Sequence, residues 1–380
     1  MADMLNQLPG VKSRISNLQS QVSALQTQSG QAGLFVWETD ENGDLMPPRK
    51  IPNRRIASHV MGMVLTNEGG GSGTWVRINE NYEVVPFDIN HGTWVGIKNI
   101  TTDRGSFVEI PITYVKTETI ASGTYSGKNC WWVADGYADG FHIHPAFIGS
   151  DGQPHNLQIA AYLTSKDNGD LPYSDDVENN SDYWSEIMYS DVRSTALTAN
   201  TITEGGYRAY NIYDHHFLAR MMLTEFGTPN VQSLTINNVA WTGANRINYH
   251  GIYDLFGKPN YDLYYWIDGL STLEGTYQVL AATGSGQIVE TDIDCINACV
   301  WPINCRTNKV NNIDFGDLFI ASASNATENN GSFSDYQYLN SGKAFVAAWG
   351  TDSNQGAFCL LDSIPTTSAP TIGWRLSRCY

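Results

Sequence analysis

Six apolar residues near the start of the chain, Leu8, Val11, Ile15, Leu18, Val22 and Leu25, are separated by steps of three, four, three, four and three. This is a heptad seam, which puts all six on one stripe of a helix while Lys12, Arg14, Asn17, Gln19 and Gln21 cover the rest. A lone helix would leave that stripe in water, and an isolated helix near ~15 residues is marginal. The seam therefore predicts association, with these six residues as the trimerisation contacts of a coiled-coil stem over residues 1–30. Mixed Leu, Ile and Val at the seam does not by itself set the strand number. Pro9 and Gly10 interrupt any helix running from Met1, so the regular part is expected from Val11 to about Ser29-Gly30.

The rest of the chain has a different character. Hydrophobic residues make up 42% of it and charged residues only 16%, with 35 Gly, 20 Tyr and 11 Trp. That is enough apolar material for a large core, and it suits loop-rich β structure better than a long helical enzyme. The formal charge of −17 argues against nucleic acid or anionic membrane as the main partner, because both need faces rich in Lys and Arg. No uninterrupted apolar run follows a basic flank within the first 25 residues, so neither a signal peptide nor membrane insertion is expected. Synthesis and folding in a reducing cytoplasm then make the Asn-x-Ser/Thr triplets at Asn99, Asn179, Asn325 and Asn330 chance occurrences, and the six cysteines idle thiols. Cys295, Cys299 and Cys305 lack the paired spacing of a zinc site.

Residues 31–104 read as a small β-rich shoulder domain. Met61-Gly-Met-Val-Leu and Thr74-Trp-Val-Arg-Ile-Asn look like strands joined by the loop Gly69 to Gly73. That loop has no Lys-Ser/Thr ending and precedes a strand, so it is a hairpin connection and not a phosphate cradle.

From about residue 105 a series of segments follows in order: Gly140-Phe-His-Ile-His-Pro, Ile159-Ala-Ala-Tyr, Asp191-Val-Arg-Ser, and a helical stretch from Tyr210 closed by Gly227. Tyr249-His-Gly-Ile-Tyr-Asp-Leu-Phe-Gly, Tyr265-Trp-Ile-Asp-Gly, Phe345-Val-Ala-Ala-Trp-Gly and Ile372-Gly-Trp-Arg-Leu complete it. Taken together, the series resembles phage tail-fibre receptor-binding proteins and retroelement-diversified tropism determinants, whose domain is a C-type-lectin fold of the formylglycine-generating-enzyme type. The resemblance implies a C-terminal lectin-like receptor-binding domain over residues 105–380. With the stem and shoulder, the expected class is α+β. Independently of the resemblance, Tyr213, Phe217, Arg220 or Met221, and Thr224 recur at helical spacing, and Gly227 offers a stop. Trp266 and Trp374 are expected in the core.

Catalytic constellations are weak. His142 and His144 alternate along an expected strand and share a face, but no carboxylate or third His lies at close spacing, so the metal content is left open. His215 and His216 are adjacent on a helix and point apart. Enzymes of the resembling class use a close cysteine pair near the C-terminal end, whereas Cys359 and Cys379 are far apart. Arg375 and Arg378 flank Cys379 without an expected cavity, and there is no Gly-x-Ser-x-Gly elbow. The expectation is a non-enzyme without cofactor.

The resemblance puts the ligand face in the late loops, residues 329–341 and 349–371. There Tyr336, Tyr338, Trp349 and Phe358 offer rigid aromatic faces, and Asp352, Asn354, Gln355, Thr366 and Thr367 offer adaptable hydrogen bonds, a mixture favoured in paratopes. The resulting expectation is a homotrimeric adhesin of the distal tail fibre in the virion. Its partners would be a bacterial polysaccharide or outer-membrane protein and other phage tail proteins; the alternatives are a structural tail or baseplate component or an oxidase.

Overall fold

A computed structural model of the chain describes residues 56–68, 74–167, 169–176, 184–185, 187–201, 205–229, 248–255, 264–295, 299–325 and 372–379. It also describes short stretches at 35–36, 49–50, 332–333, 337–338, 342, 344–347 and 358–363. Two compact units are present, Met1–Ile56 and Ala57–Tyr380. In the first, Phe35–Val36 and Arg49–Lys50 form an antiparallel pair.

The expected α+β class with a coiled-coil stem is overturned, because the structure is mostly β-sheet, 43% strand against 16% helix. Among the described residues the α-helices are short: α1 Gly92–Val95, α2 Tyr189–Thr198 and α3 Ile212–Phe226. Among the described residues no long stem helix is seen, and none of these helices is long and apolar enough to cross a membrane. The heptad residues Leu8, Val11, Ile15, Leu18, Val22 and Leu25 lie outside the described residues. Physically, the dominant signal is the one carried by β-branched and aromatic residues, which bury best on pleated surfaces.

Among the described residues the unit Ala57–Tyr380 holds three large sheets and two two-stranded ones. The five-stranded sheet is antiparallel throughout, in the order Thr74–Ile78, Val60–Asn67, Asn129–Ala134, Tyr114–Thr119, His142–Ile143. Its first two strands are those expected on either side of the glycine-rich loop. In the seven-stranded sheet, Gly105–Ile110 pairs with both Lys98–Thr102 and Leu157–Ala160. The closing strand Leu376–Arg378 is inserted between Leu157–Ala160 and Tyr207–Ala209. Residues from 57 to 104 thus share hydrogen-bonded sheets with residues beyond 105. The nine-stranded sheet is built around Tyr264–Leu273, which pairs with Thr276–Leu280, Ala344–Ala347 and Ile372–Gly373.

Helix α3 sits within the largest core cluster, against strands of the five-stranded and nine-stranded sheets. Its start is fixed locally. The Asn211 side chain accepts hydrogen bonds from the Tyr213 and Asp214 amides at 2.9 and 3.1 Å, and the Asp214 carboxylate accepts from the Asn211 amide at 3.1 Å. That reciprocal cap satisfies the amides left over at a helix start. Gly227 ends the helix at φ 72°, a left-handed conformation that costs glycine no Cβ clash. The helix is buried from Ile212 to Thr224, which makes it a core helix instead of an amphipathic surface one.

Candidate functional site

The late segments are anchored in the nine-stranded sheet. Gln337–Tyr338 runs parallel to Leu360–Ser363, with Gln337 opposite Leu360 and Tyr338 opposite Leu361. Ala344–Ala347 is antiparallel to Leu360–Ser363. The chain therefore enters 337 and 360, and leaves 347, at one end of three neighbouring strands, an anchorage roughly 10 Å across at typical strand spacing. Gln337 is fully buried; its side-chain amide donates to the Phe319 carbonyl at 2.7 Å and accepts from the Ala321 amide at 3.3 Å, fixing this register.

Of the residues expected to touch a receptor, Tyr338 lies in the strand Gln337–Tyr338. Phe358 is fully buried, with its ring 4.8 Å from Phe319 and 5.0 Å from Phe333 between centroids. Its surface is used in the core. Tyr336, Trp349, Asp352, Asn354, Gln355, Thr366 and Thr367 lie outside the described residues.

A polar cluster lies where the edge strand His142–Ile143 meets the turn 313–317. The His142 imidazole Nε2 is 2.8 Å from Asp317 Oδ2. His144, two residues on, is completely buried: its Nδ1 accepts from the Ala146 amide at 3.2 Å and its Nε2 faces the Asp317 carbonyl at 3.3 Å. These contacts assign the neutral tautomer with the proton on Nε2, and burial pushes the His144 pKa down to about 3 despite the nearby Asp317. Burial alone would raise the Asp317 carboxyl, but the hydrogen bond from His142 and the neighbouring positive charge, including that of Arg220, hold it below the usual carboxylate value.

Arg220, from the middle of α3, braces the same turn. Its guanidinium donates to the Gly316 carbonyl, to Thr117 Oγ1 at 3.0 Å and to the Trp132 carbonyl at 3.3 Å. Gly316 is required here, because a Cβ would stand 2.6 Å from the Thr117 Cβ. Asp314 caps the turn by accepting from the Gly316 amide at 2.9 Å, and its other oxygen is 3.0 Å from Lys309 Nζ. The sequence reading found His142 and His144 on one strand but missed Asp314 and Asp317, which lie more than 170 residues away; no spacing rule could have found them.

Charged residues of the ordered motifs are spent on holding the scaffold. Arg193 of α2 makes a two-pronged ion pair with Asp268 at 3.0 and 2.8 Å, joining the Asp191-Val-Arg-Ser and Tyr265-Trp-Ile-Asp-Gly segments. Arg375 donates to the Ala160 carbonyl at 2.6 Å and to the Tyr253 carbonyl at 2.5 Å, linking the closing strand to Tyr249-His-Gly-Ile-Tyr-Asp. Trp266 and Trp374 are fully buried, and Trp266 donates its indole proton to the Ile187 carbonyl at 2.8 Å. A cavity of about 200 Å³ is lined by Arg193, Asn200, Arg208, Asp268 and Cys379. Arg208 donates to Asp214 and to the Ala146 carbonyl, both at 2.7 Å.

Burial raises the thiols of Cys130, Cys295 and Cys305, and pushes Cys379 up to about 11 although the Arg208 charge opposes it. High thiol pKa values disfavour the thiolate. Arg378, adjacent in sequence to Cys379, instead donates to the Gly205 carbonyl at 3.1 Å and lies 4.6 Å over the Tyr207 ring. No protein-family model matches this chain, and no curated protein matches its sequence.

Proposed function

We propose that the chain is a bacteriophage receptor-binding protein, a non-enzymatic adhesin of the distal tail fibre that attaches the virion to a polysaccharide or outer-membrane protein of a bacterial cell. Support comes first from the ordered series of motifs between residues 140 and 376, which resembles tail-fibre receptor-binding proteins. The observation that carries the reading is the pairing of Gln337–Tyr338, Leu360–Ser363 and Ala344–Ala347. These strands bring the ends of the aromatic and amide-rich stretches that precede 337 and 360 to one end of a sheet. A rigid sheet presenting variable polar and aromatic loops is a common solution for surface recognition. Assembly as a homotrimer would convert weak single contacts into avid attachment, because the second and third contacts become intramolecular.

The test is binding of the labelled, purified protein to a panel of bacterial strains, with competition against phage adsorption on strains that are bound. The expected result is that the wild type blocks adsorption, while a variant combining Tyr336→Ala, Asp352→Ala and Asn354→Ala binds at least about tenfold more weakly with an unchanged melting temperature. Equal binding by wild type and triple variant would overturn the assignment of these loops. A wild type that binds purified tail components but no cell would favour a structural tail or baseplate protein instead.

A further inference from the structure

The cluster at His142, Asp314 and Asp317 brings one imidazole and two carboxylates together. One donor atom from each of the three residues lies within 4.8 Å of the other two. Neighbouring donors in a tetrahedral shell at ~2.1 Å stand ~3.4 Å apart, so any pair at the 4.8 Å limit must close by about 1.4 Å to make one coordination shell. The three residues approach from two directions, an edge strand and a turn far along the chain.

A second observation concerns one oxygen. Asp317 is 1% exposed, and while its Oδ2 faces His142, its Oδ1 is sealed from solvent and accepts no hydrogen bond among the described residues. The nearest cationic atom, Arg220 Nη2, is 3.7 Å away, too long for a hydrogen bond, and that nitrogen is already committed to Gly316 and Thr117. A buried carboxylate oxygen without a donor is costly to leave as it is. Access exists on the other side: the His142 side chain is 38% exposed, and the lysine on Asp314 is 73% exposed and free to swing away.

We infer that His142, Asp314 and Asp317 form a binding site for one first-row divalent transition ion, with zinc as its working probe. One imidazole and two carboxylates are a borderline donor set that suits zinc, manganese or cobalt, whereas calcium and magnesium prefer shells of oxygen alone. His144 and Arg220 act as outer supports, His144 by holding the Asp317 main chain and Arg220 by holding the Gly316 carbonyl. The ion would clip the edge strand His142–Ile143 to the turn at 313–317, with remaining positions open to water on the exposed side. This site is independent of the adhesin reading and stands or falls separately from it.

The full chain, stripped with a chelator and dialysed, is titrated with Zn²⁺ by calorimetry while its melting temperature is followed. The expected result is one equivalent bound, with an upward shift in melting temperature, and at least about tenfold weaker binding for His142→Gln and for Asp314→Asn. Asp314→Asn keeps an oxygen for the Gly316 amide, so the turn should survive. Equal zinc uptake by wild type and the variants would overturn the site, as would binding of Ca²⁺ in preference to Zn²⁺. If both variants fail to fold, the visible spectrum of Co²⁺ bound to the wild type decides. Weak bands of nitrogen and oxygen ligation are expected; intense thiolate charge transfer, or no bound Co²⁺, would refute the assignment.

Discussion

His91 is fully buried at the start of α1, where its Nδ1 accepts from the Thr93 amide at 3.2 Å. Burial lowers its pKa from 6.5 to about 4, against the opposing charges of Asp135 and Asp88 and with that of His59. Below pH 6.5 the unfolded chain takes up a proton that the folded chain refuses. Stability from this residue is therefore complete above pH 6.5, is lost as pH falls from 6.5 to about 4, and levels off once the folded state also protonates. The slope is up to about 1.4 kcal/mol per pH unit. His91→Asn keeps an acceptor for the Thr93 amide and removes the titration. Urea unfolding across this window should give a shallower pH dependence in the variant; identical slopes would show that His91 does not carry the effect.

At the scale of elements, α3 is the piece most dependent on its ends, since its sides are all packed. Removing the Asn211 cap leaves the Tyr213 and Asp214 amides buried without their acceptor. Asn211→Ala is expected to lower unfolding stability by about 1–2 kcal/mol, and Asn211→Ser by much less, because serine also caps. Denaturant midpoints at unchanged m-value measure this. A neutral Asn211→Ala would mean that the helix is held wholly by its flanks. The same element shows what burial does to charge. Arg220 sits mid-helix with no exposed surface, yet its donors reach carbonyls on two other elements, so a buried cation is tolerated because it is hydrogen-bonded.

For the whole molecule, the closing strand is central. Leu376–Arg378 pairs on both sides, with Leu157–Ala160 and with Tyr207–Ala209, so the last residues complete a sheet begun near residue 98. Deleting residues 376–380 removes an interior strand, unpairs Tyr207–Ala209 and leaves Leu157–Ala160 at an edge. The shortened chain is expected to lose protection of the Ala57–Tyr380 unit in limited proteolysis, whereas a chain beginning at Ala57 should keep it. Equal resistance of the two truncations would show that the seven-stranded sheet is not needed for the fold.

The sequence by itself determined what depends on near neighbours. The helix from Ile212 to Phe226 and its stop at Gly227, the strand pair on either side of residues 69–73, and the burial of Trp266 and Trp374 were all legible, because caps, glycine geometry and apolar runs act within a few residues. It misjudged the balance of the fold: the heptad seam drew weight toward helix, while the body is sheet. Only the tertiary structure decided that Phe358 turns inward and that Asp314 and Asp317 come to His142. Which strand pairs with which, and which side chain wins the interior, is settled by competition for burial among segments hundreds of residues apart, and no local spacing records its outcome.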